Sequence, residues 1–201
     1  ILAAVLLMSA SVFGTLAYLK DQASVVTNTF SVGKVDITLD EAKVNTKGSP
    51  VDFNGNDVTL ANAPRVTSND YTLIPGHGYT KDPIVYVEPN SEASFIFVKV
   101  ENEIAAIEDS TQKIADQITA KGWTALGTPA NVYYKQVPAN ISSTNRDTYP
   151  VFDFFYIDKN YDPSATGAVD YTGKTIKITA YAIQAEGFAS ASAAWTGGGF
   201  T

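Results

Sequence analysis

The chain has 201 residues, of which 45% are hydrophobic and 11% aromatic, enough to bury the core of one domain and too many for a disordered protein. A formal net charge of −7 argues against nucleic acid and against an anionic membrane surface as partners, because both attract basic patches. The lack of cysteine excludes disulfides, thiolate metal sites and cysteine nucleophiles.

The chain opens with an uncharged, mostly apolar segment, residues 1–19, and Lys20 is its first charged residue. Its first part, ILAAVLLMSASVFGTLA, has the length and the small residues near its end that are typical of a secretory signal peptide. A membrane-spanning helix needs about 20 apolar residues, and this run is interrupted by serine and glycine. We therefore expect residues 1–17 to be a signal-peptide remnant or a retained apolar segment, and residues 18–201 to form a single domain. Removal of the signal would leave no stable membrane insertion.

After Lys20, alternating apolar and polar residues with many β-branched and aromatic side chains predict strands. In chain order the predicted strands lie in KVDITLDEA (34–42), DPIVYVEP (82–89), ASFIFVKVENE (93–103), NVYYKQV (131–137), YPVFDFFYID (149–158) and GKTIKITAYAIQAEG (173–187). Turn signals rich in Gly, Pro, Asn and Asp separate them. Strands at this spacing without a βαβ repeat predict a mainly β fold, an antiparallel β-sandwich.

One segment between the strands has helical periodicity. NEIAAIEDSTQKIADQITAKGW places its isoleucines on one face, which predicts a single amphipathic surface helix near residues 103–121. Asn102 is the expected N-cap, and Lys121 with Gly122 is expected to end the helix.

Candidate sites for metal chemistry are few. His77 is the one histidine, and it lies between two glycines in PGHGY, a setting typical of a turn. A zinc hydrolase needs three protein ligands, commonly with two histidines four residues apart, and no such motif occurs. We therefore predict no catalytic site and no cofactor.

A weak calcium candidate lies in DKNYDPSATGAVD, where Asp158, Asn160 and Asp162 have the first three spacings of a calcium loop. The loop lacks the glycine and the glutamate of that motif, because Pro163 and Val169 stand at those positions. Asp and Asn are also common in ordinary turns, since they hydrogen-bond to nearby backbone. A solvated hairpin turn is the alternative interpretation.

Three stretches together resemble the TasA/camelysin family of exported Gram-positive bacterial proteins. They are FGTLAYLKDQASVVTNTFSVGKVDITLDEA, NDYTLIPGHGYTKDPIVYVEPNSEASFIFVKVE and ITAYAIQAEGF followed by AAW. The resemblance implies a jelly-roll-like sandwich and cleavage by a special signal peptidase close to Tyr18. Some members of this family are subunits of biofilm-matrix fibres, and others are described as cell-surface metallopeptidases.

The resemblance also implies assembly by donor-strand complementation, in which an N-terminal strand of one subunit completes the sheet of the next. The donor segment would be residues 18–30, with an assembly strand formed by Tyr18, Leu19, Ala23, Val25 and Val26. Within it, Leu19, Ala23 and Val25 can enter pockets while the residues between them face outward. The alternative is that this segment is an ordinary first strand of its own subunit.

From these patterns we expect a structural subunit of an extracellular filament, secreted to the matrix or surface of a Gram-positive bacterium. Its partners would be other copies of itself, joined head-to-tail, with other matrix proteins as further candidates. The alternative function is a secreted or cell-surface camelysin-like metallo-endopeptidase.

Overall fold

The computed structural model describes residues 33–201, so the predicted assembly residues between Tyr18 and Val26 lie outside the described residues. Residues 33–201 form one compact unit. Its strands are β1 (Ile37–Ala42), β2 (Arg65–Val66), β3 (Gly78–Thr80), β4 (Ile84–Val87), β5 (Ser94–Asn102), β6 (Thr124–Ala125), β7 (Val132–Val137), β8 (Asp147–Pro150), β9 (Phe154–Tyr156) and β10 (Ile176–Gln184). Its helices are α1 (Ile114–Ala120) and α2 (Ala191–Gly197), with 3₁₀ turns at Leu60–Asn62 and Ala105–Ile107.

The strands form two four-stranded sheets and one two-stranded ribbon. The first sheet has the order β2-β1-β4-β8, the second the order β10-β5-β7-β6, and the ribbon pairs β3 with β9. Every pairing between these strands is antiparallel. The prediction of a mainly β, antiparallel fold is therefore confirmed.

The two large sheets enclose a shared core. Val85 and Val87 of β4 belong to the same buried cluster as Ile96 and Val98 of β5. Because side chains alternate along a strand, this cluster takes the even-numbered residues of β5. Trp123 lies in the same cluster and is almost fully buried, and its ring N–H donates to the carbonyl of Pro150 at 2.8 Å.

The odd-numbered face of β5 is buried as well, under the C-terminal helix α2. Phe95 and Phe97 pack in a second cluster with Ala194 and Trp195 of α2. Ser190 caps this helix by accepting a hydrogen bond from the N–H of Ala193 at 3.2 Å. The C-terminal helix is therefore part of the core, and Trp195 is a core residue.

The single helix predicted over residues 103–121 is wrong in its length. Strand β5 continues to Asn102, a 3₁₀ turn follows, and α1 begins only at Ile114. The helix is interrupted because Asp109 accepts hydrogen bonds from the N–H and the hydroxyl of Thr111 at 2.8 and 2.6 Å, which holds the backbone in a local turn. The amphipathic character and the end are as expected: α1 buries its isoleucines, and Gly122 has a φ of +79° just after it.

Candidate functional site

Strand β10 forms an edge of the second sheet and has an open side. It pairs over its nine residues with β5, and no other strand within residues 33–201 pairs with it. An open edge of this length carries a row of unpaired backbone N–H and C=O groups and is a template for another strand.

The register identifies which backbone groups of β10 point outward. The N–H of Ala185 donates to the carbonyl of Ala93 at 2.7 Å, and the N–H of Glu103 donates to the carbonyl of Thr175 at 3.0 Å. Hydrogen-bonded pairs in an antiparallel ladder recur at every second residue, so the odd-numbered residues of β10 bond to β5. The even-numbered residues therefore direct their backbone groups to the open side; they are Ile176, Ile178, Ala180, Ala182 and Gln184.

The apolar side chains among these even-numbered residues are not fully covered at this edge of the core. The first four, from Ile176 to Ala182, pack against the shared core and are only partly buried. An added strand on this edge would cover them and would also satisfy the outward backbone groups.

The nearest strand of the first sheet, β1, is open on the same side of the molecule. Strand β1 lies next to β10 but belongs to the other sheet. It pairs with β2 only at Glu41 and Ala42, which leaves Ile37–Asp40 with a strand on the β4 side alone. Ile37 and Leu39 pack against the shared core and are partly buried. The two sheets are therefore open along the β1 and β10 edges.

A groove of about 980 Å³ follows this opening. It is lined by Leu39 of β1, by Ile176 and Ile178 of β10 and by Phe155 of β9. Tyr161 and Tyr171 also line the groove and pack edge to face, with their ring centroids 5.6 Å apart. The groove thus places apolar side chains beside two open strand edges, where an added strand would contact both side chains and backbone.

A smaller cavity of about 370 Å³ lies at the other end of β10. Gln184 and Phe188 line it together with Gly33, Lys34 and Val35, where the described chain begins. The groove and this cavity thus border the opposite ends of the same strand edge.

Lysine side chains stand along the groove. Lys174 and Lys177 line it, and both are paired at the surface, with Glu103 at 3.3 Å and Glu101 at 3.4 Å. Hydrogen bonds from the backbone N–H and the hydroxyl of Thr175 lower the pKa of Glu103. The lining is therefore mixed: these two lysines are paired with glutamates, and Asp40, Glu41, Asp70 and Asp170 also line the groove.

The predicted calcium residues lie in exposed turns, where each makes local hydrogen bonds. One carboxylate oxygen of Asp158 accepts from the backbone N–H and the side-chain amide of Asn160, at 2.8 and 3.0 Å. Asp162 accepts from the N–H and the hydroxyl of Ser164, at 2.8 and 2.6 Å, and these bonds lower its pKa. This bonding is that of turns in which Asp caps its own backbone, and the calcium site stays a prediction.

His77 lies in the turn before β3. Its Nε2 is 2.9 Å from the carbonyl of Lys47, and its ring packs edge to face with Tyr79 at 4.6 Å between centroids. Among residues 33–201 no group of three His, Cys, Asp or Glu side chains is placed to hold a metal ion. In the same part of the chain, no helix is both long and apolar enough to cross a membrane.

Comparison of the chain with models of protein families, with curated proteins and with solved structures gives no match in any of the three. The resemblance to the TasA/camelysin family therefore stays a prediction from the quoted stretches.

Sequence reasoning located the β10 segment but missed the property that makes it a candidate site. The alternation of apolar residues from Ile176 to Ala182 predicted a strand. Whether a strand has one neighbour or two depends on pairing with distant residues, and the sequence pattern carries no signal for that.

Proposed function

We propose that this protein is a structural subunit of an extracellular filament, assembled head-to-tail by donor-strand complementation. The open edge of β10, with its apolar groove, is the single observation that supports this proposal most. The jelly-roll-like arrangement, the secretion and the Gram-positive surface location belong to the same proposal and rest on the resemblance and the apolar N-terminal pattern.

The segment Tyr18–Val26 fits the open edge in length and pattern. It has nine residues, as β10 has, and its alternation gives one apolar side. Leu19, Ala23 and Val25 would enter the groove, while the residues between them would face outward. Asp21 falls on the same side, so this side of the segment is apolar except at that position.

The donor in this proposal is a second copy of the chain. Donor segment and acceptor edge are different surfaces of the subunit, so the contact is heterologous and continues from copy to copy without closing. At about 25 cal/mol per Å² of apolar area, even a few hundred Å² buried at each joint contributes several kcal/mol before the entropy of association is subtracted. Since little of this is charge-based, we expect the filaments to resist salt.

Deletion of residues 1–26, followed by electron microscopy, tests the proposal. The shortened protein keeps the whole compact unit from Gly33 onward, so it should stay folded and fail to form filaments. A synthetic peptide with the sequence of residues 18–30 should then bind to it, because the acceptor edge is intact. Filaments of normal width from the shortened protein would rule the proposal out.

A further inference from the structure

A buried carboxylate in the first sheet bonds to an amine and an amide at the same time. Glu41 lies on β1, Asn69 follows β2, and Lys81 lies between β3 and β4. Lys81 Nζ is 2.6 Å from one carboxylate oxygen of Glu41, and Asn69 Nδ2 donates to the other oxygen at 2.9 Å. Glu41 is 5% exposed and Lys81 is 8% exposed. The amine of a lysine and the side-chain amide of an asparagine are thus held on the two oxygens of one buried acid.

The amide group of Asn69 is fixed and polarised by the backbone around it. The N–H of Val44 donates to Asn69 Oδ1 at 2.9 Å, and Asn69 Nδ2 also donates to the carbonyl of Ala42 at 2.9 Å. A backbone N–H on a carbonyl oxygen stabilises the negative charge that develops there when a nucleophile attacks the carbon.

An aromatic side chain, Tyr71, lies next to this group. Tyr71 packs edge to face against Phe155 and Tyr79, with centroids 5.1 and 5.8 Å away, and its hydroxyl donates to the carbonyl of Thr80 at 3.1 Å. Burial, and then the nearby carboxylates of Glu41 and Asp82, raise the pKa of Tyr71, so its hydroxyl stays neutral.

We propose that Lys81 and Asn69 join in an intramolecular isopeptide bond, with Glu41 as the proton carrier. A proton passes from Lys81 Nζ to the Glu41 carboxylate, and the neutral amine attacks Asn69 Cγ. The Nζ–Cγ bond forms, the Cγ–Nδ2 bond breaks, and Glu41 shuttles a proton from Nζ to Nδ2, which leaves as ammonia. Nζ keeps one hydrogen, and the remaining proton stays on Glu41 or leaves with the ammonia as ammonium. No oxidant, metal or cofactor enters the balance.

The bond would replace a buried ion pair by a neutral amide and close a ring over residues 69–81. That ring ties a segment that lines the groove to the residues just before β4. This inference does not depend on filament assembly, because all three side chains belong to one copy.

Mass spectrometry of the purified, folded protein tests the inference. The intact mass should be lower than that of the sequence by one ammonia. Trypsin should no longer cut after Lys81, since its amine is acylated. Residues 66–99 should therefore appear as one peptide, also lighter by one ammonia, without fragment ions from cleavage between Asn69 and Lys81.

Variants separate this bond from other causes of the same mass loss. Glu41→Gln keeps the size of the side chain but cannot carry the proton, so it should restore the full mass and cleavage after Lys81. Lys177→Arg, at an exposed ion pair, should keep the lighter mass. A succinimide at Asn54–Gly55 also loses ammonia, but it would appear in the tryptic peptide 48–65. Folded wild-type protein with an unaltered mass, or with the loss outside residues 66–99, would overturn the inference.

Discussion

Arg65 is the residue that neutralises a pair of acidic side chains between β1 and β4. Its guanidinium is 2.7 Å from Asp40 and 2.6 Å from Asp82, and it also donates to both of their backbone carbonyls at 3.0 Å. Asp82 in turn accepts from the N–H of Ala42 at 2.7 Å. All three charged side chains are largely shielded from water, so the arginine cannot be removed without leaving two carboxylates poorly solvated.

We therefore expect Arg65→Met to lower the free energy of unfolding by about 3 kcal/mol, the usual cost of removing one partner of a buried ion pair. Urea denaturation followed by circular dichroism measures this. Lys177→Met, which removes an exposed pair, is the control and should change the free energy by less than about 0.5 kcal/mol. Equal effects of the two substitutions would contradict the assigned role of Arg65.

The Glu108 carboxyl should make the free energy of unfolding fall as the pH rises, whereas an acid in an ion pair makes it rise. Burial raises its pKa, although its carboxylate accepts a hydrogen bond from the N–H of Ile114 at 3.2 Å. A group whose pKa is raised on folding contributes stability below its unfolded pKa, and the contribution is lost as the pH rises through the folded pKa. Glu108→Gln should therefore raise the free energy of unfolding at pH 7 relative to the wild type, with a smaller difference at pH 4.

Asp109→Asn is the matched control for Glu108, because hydrogen bonds from Thr111 lower the pKa of Asp109. Its contribution is present above the unfolded pKa and is lost as the pH falls, so this variant should be less stable than the wild type at pH 7. Urea titrations at several pH values compare the two. Parallel pH profiles for both variants would show that the signs are wrong.

At the scale of elements, the local sequence pattern predicted the long strands. It did not predict the elements whose structure depends on tertiary contacts. The alternation in residues 34–42 and 173–187 identified β1 and β10 within a few residues. Strands β2 and β6 have two residues each, and nothing in a two-residue pattern separates a strand from a loop. The helix α2 lies in a run of Ala and Ser without apolar periodicity, and its place over β5 depends on Trp195.

The same limit applies to the candidate sites. The sequence suggested the donor segment through its switch from apolar to alternating residues at Lys20. The acceptor edge and the Glu41, Asn69 and Lys81 cluster became visible only in the fold, because their members are distant in the chain and come from elements that pair in space.

The outward backbone groups of β10 allow a substitution that blocks the edge and spares the sheet. Proline has no N–H, and the N–H of Ala180 points away from β5. Ala180→Pro should therefore leave a folded subunit that accepts no donor strand, seen as monomers in electron microscopy and light scattering. Thr179→Pro is the matched control: it removes a hydrogen bond to β5, and we expect it to destabilise the subunit itself. Normal filaments from Ala180→Pro would contradict the assignment of β10 as acceptor.

At the scale of the whole molecule, the second sheet is open at its β10 edge, whereas both faces of its strand β5 are covered. Helix α2 covers the odd-numbered face of β5, and the first sheet covers the even-numbered face. The longest strand with a neighbour on one side only, among residues 33–201, is β10, and β1 lies next to it without a shared sheet. A subunit with a long open edge and a complementary segment can extend a chain of copies, and we propose that this is its function.

Disulfide trapping between two copies tests donor-strand exchange most directly, because the natural chain has no cysteine to interfere. One protein would carry Ala23→Cys, and a second, size-tagged protein would carry Ile178→Cys, Ala180→Cys or Ala182→Cys on the acceptor edge. Facing side chains on neighbouring strands are close enough for a disulfide. We expect at least one mixture to give disulfide-linked heterodimers on a non-reducing gel after oxidation. A link that forms only within one chain, when both cysteines are on the same copy, would show that the segment is the subunit's own strand and would contradict the proposal.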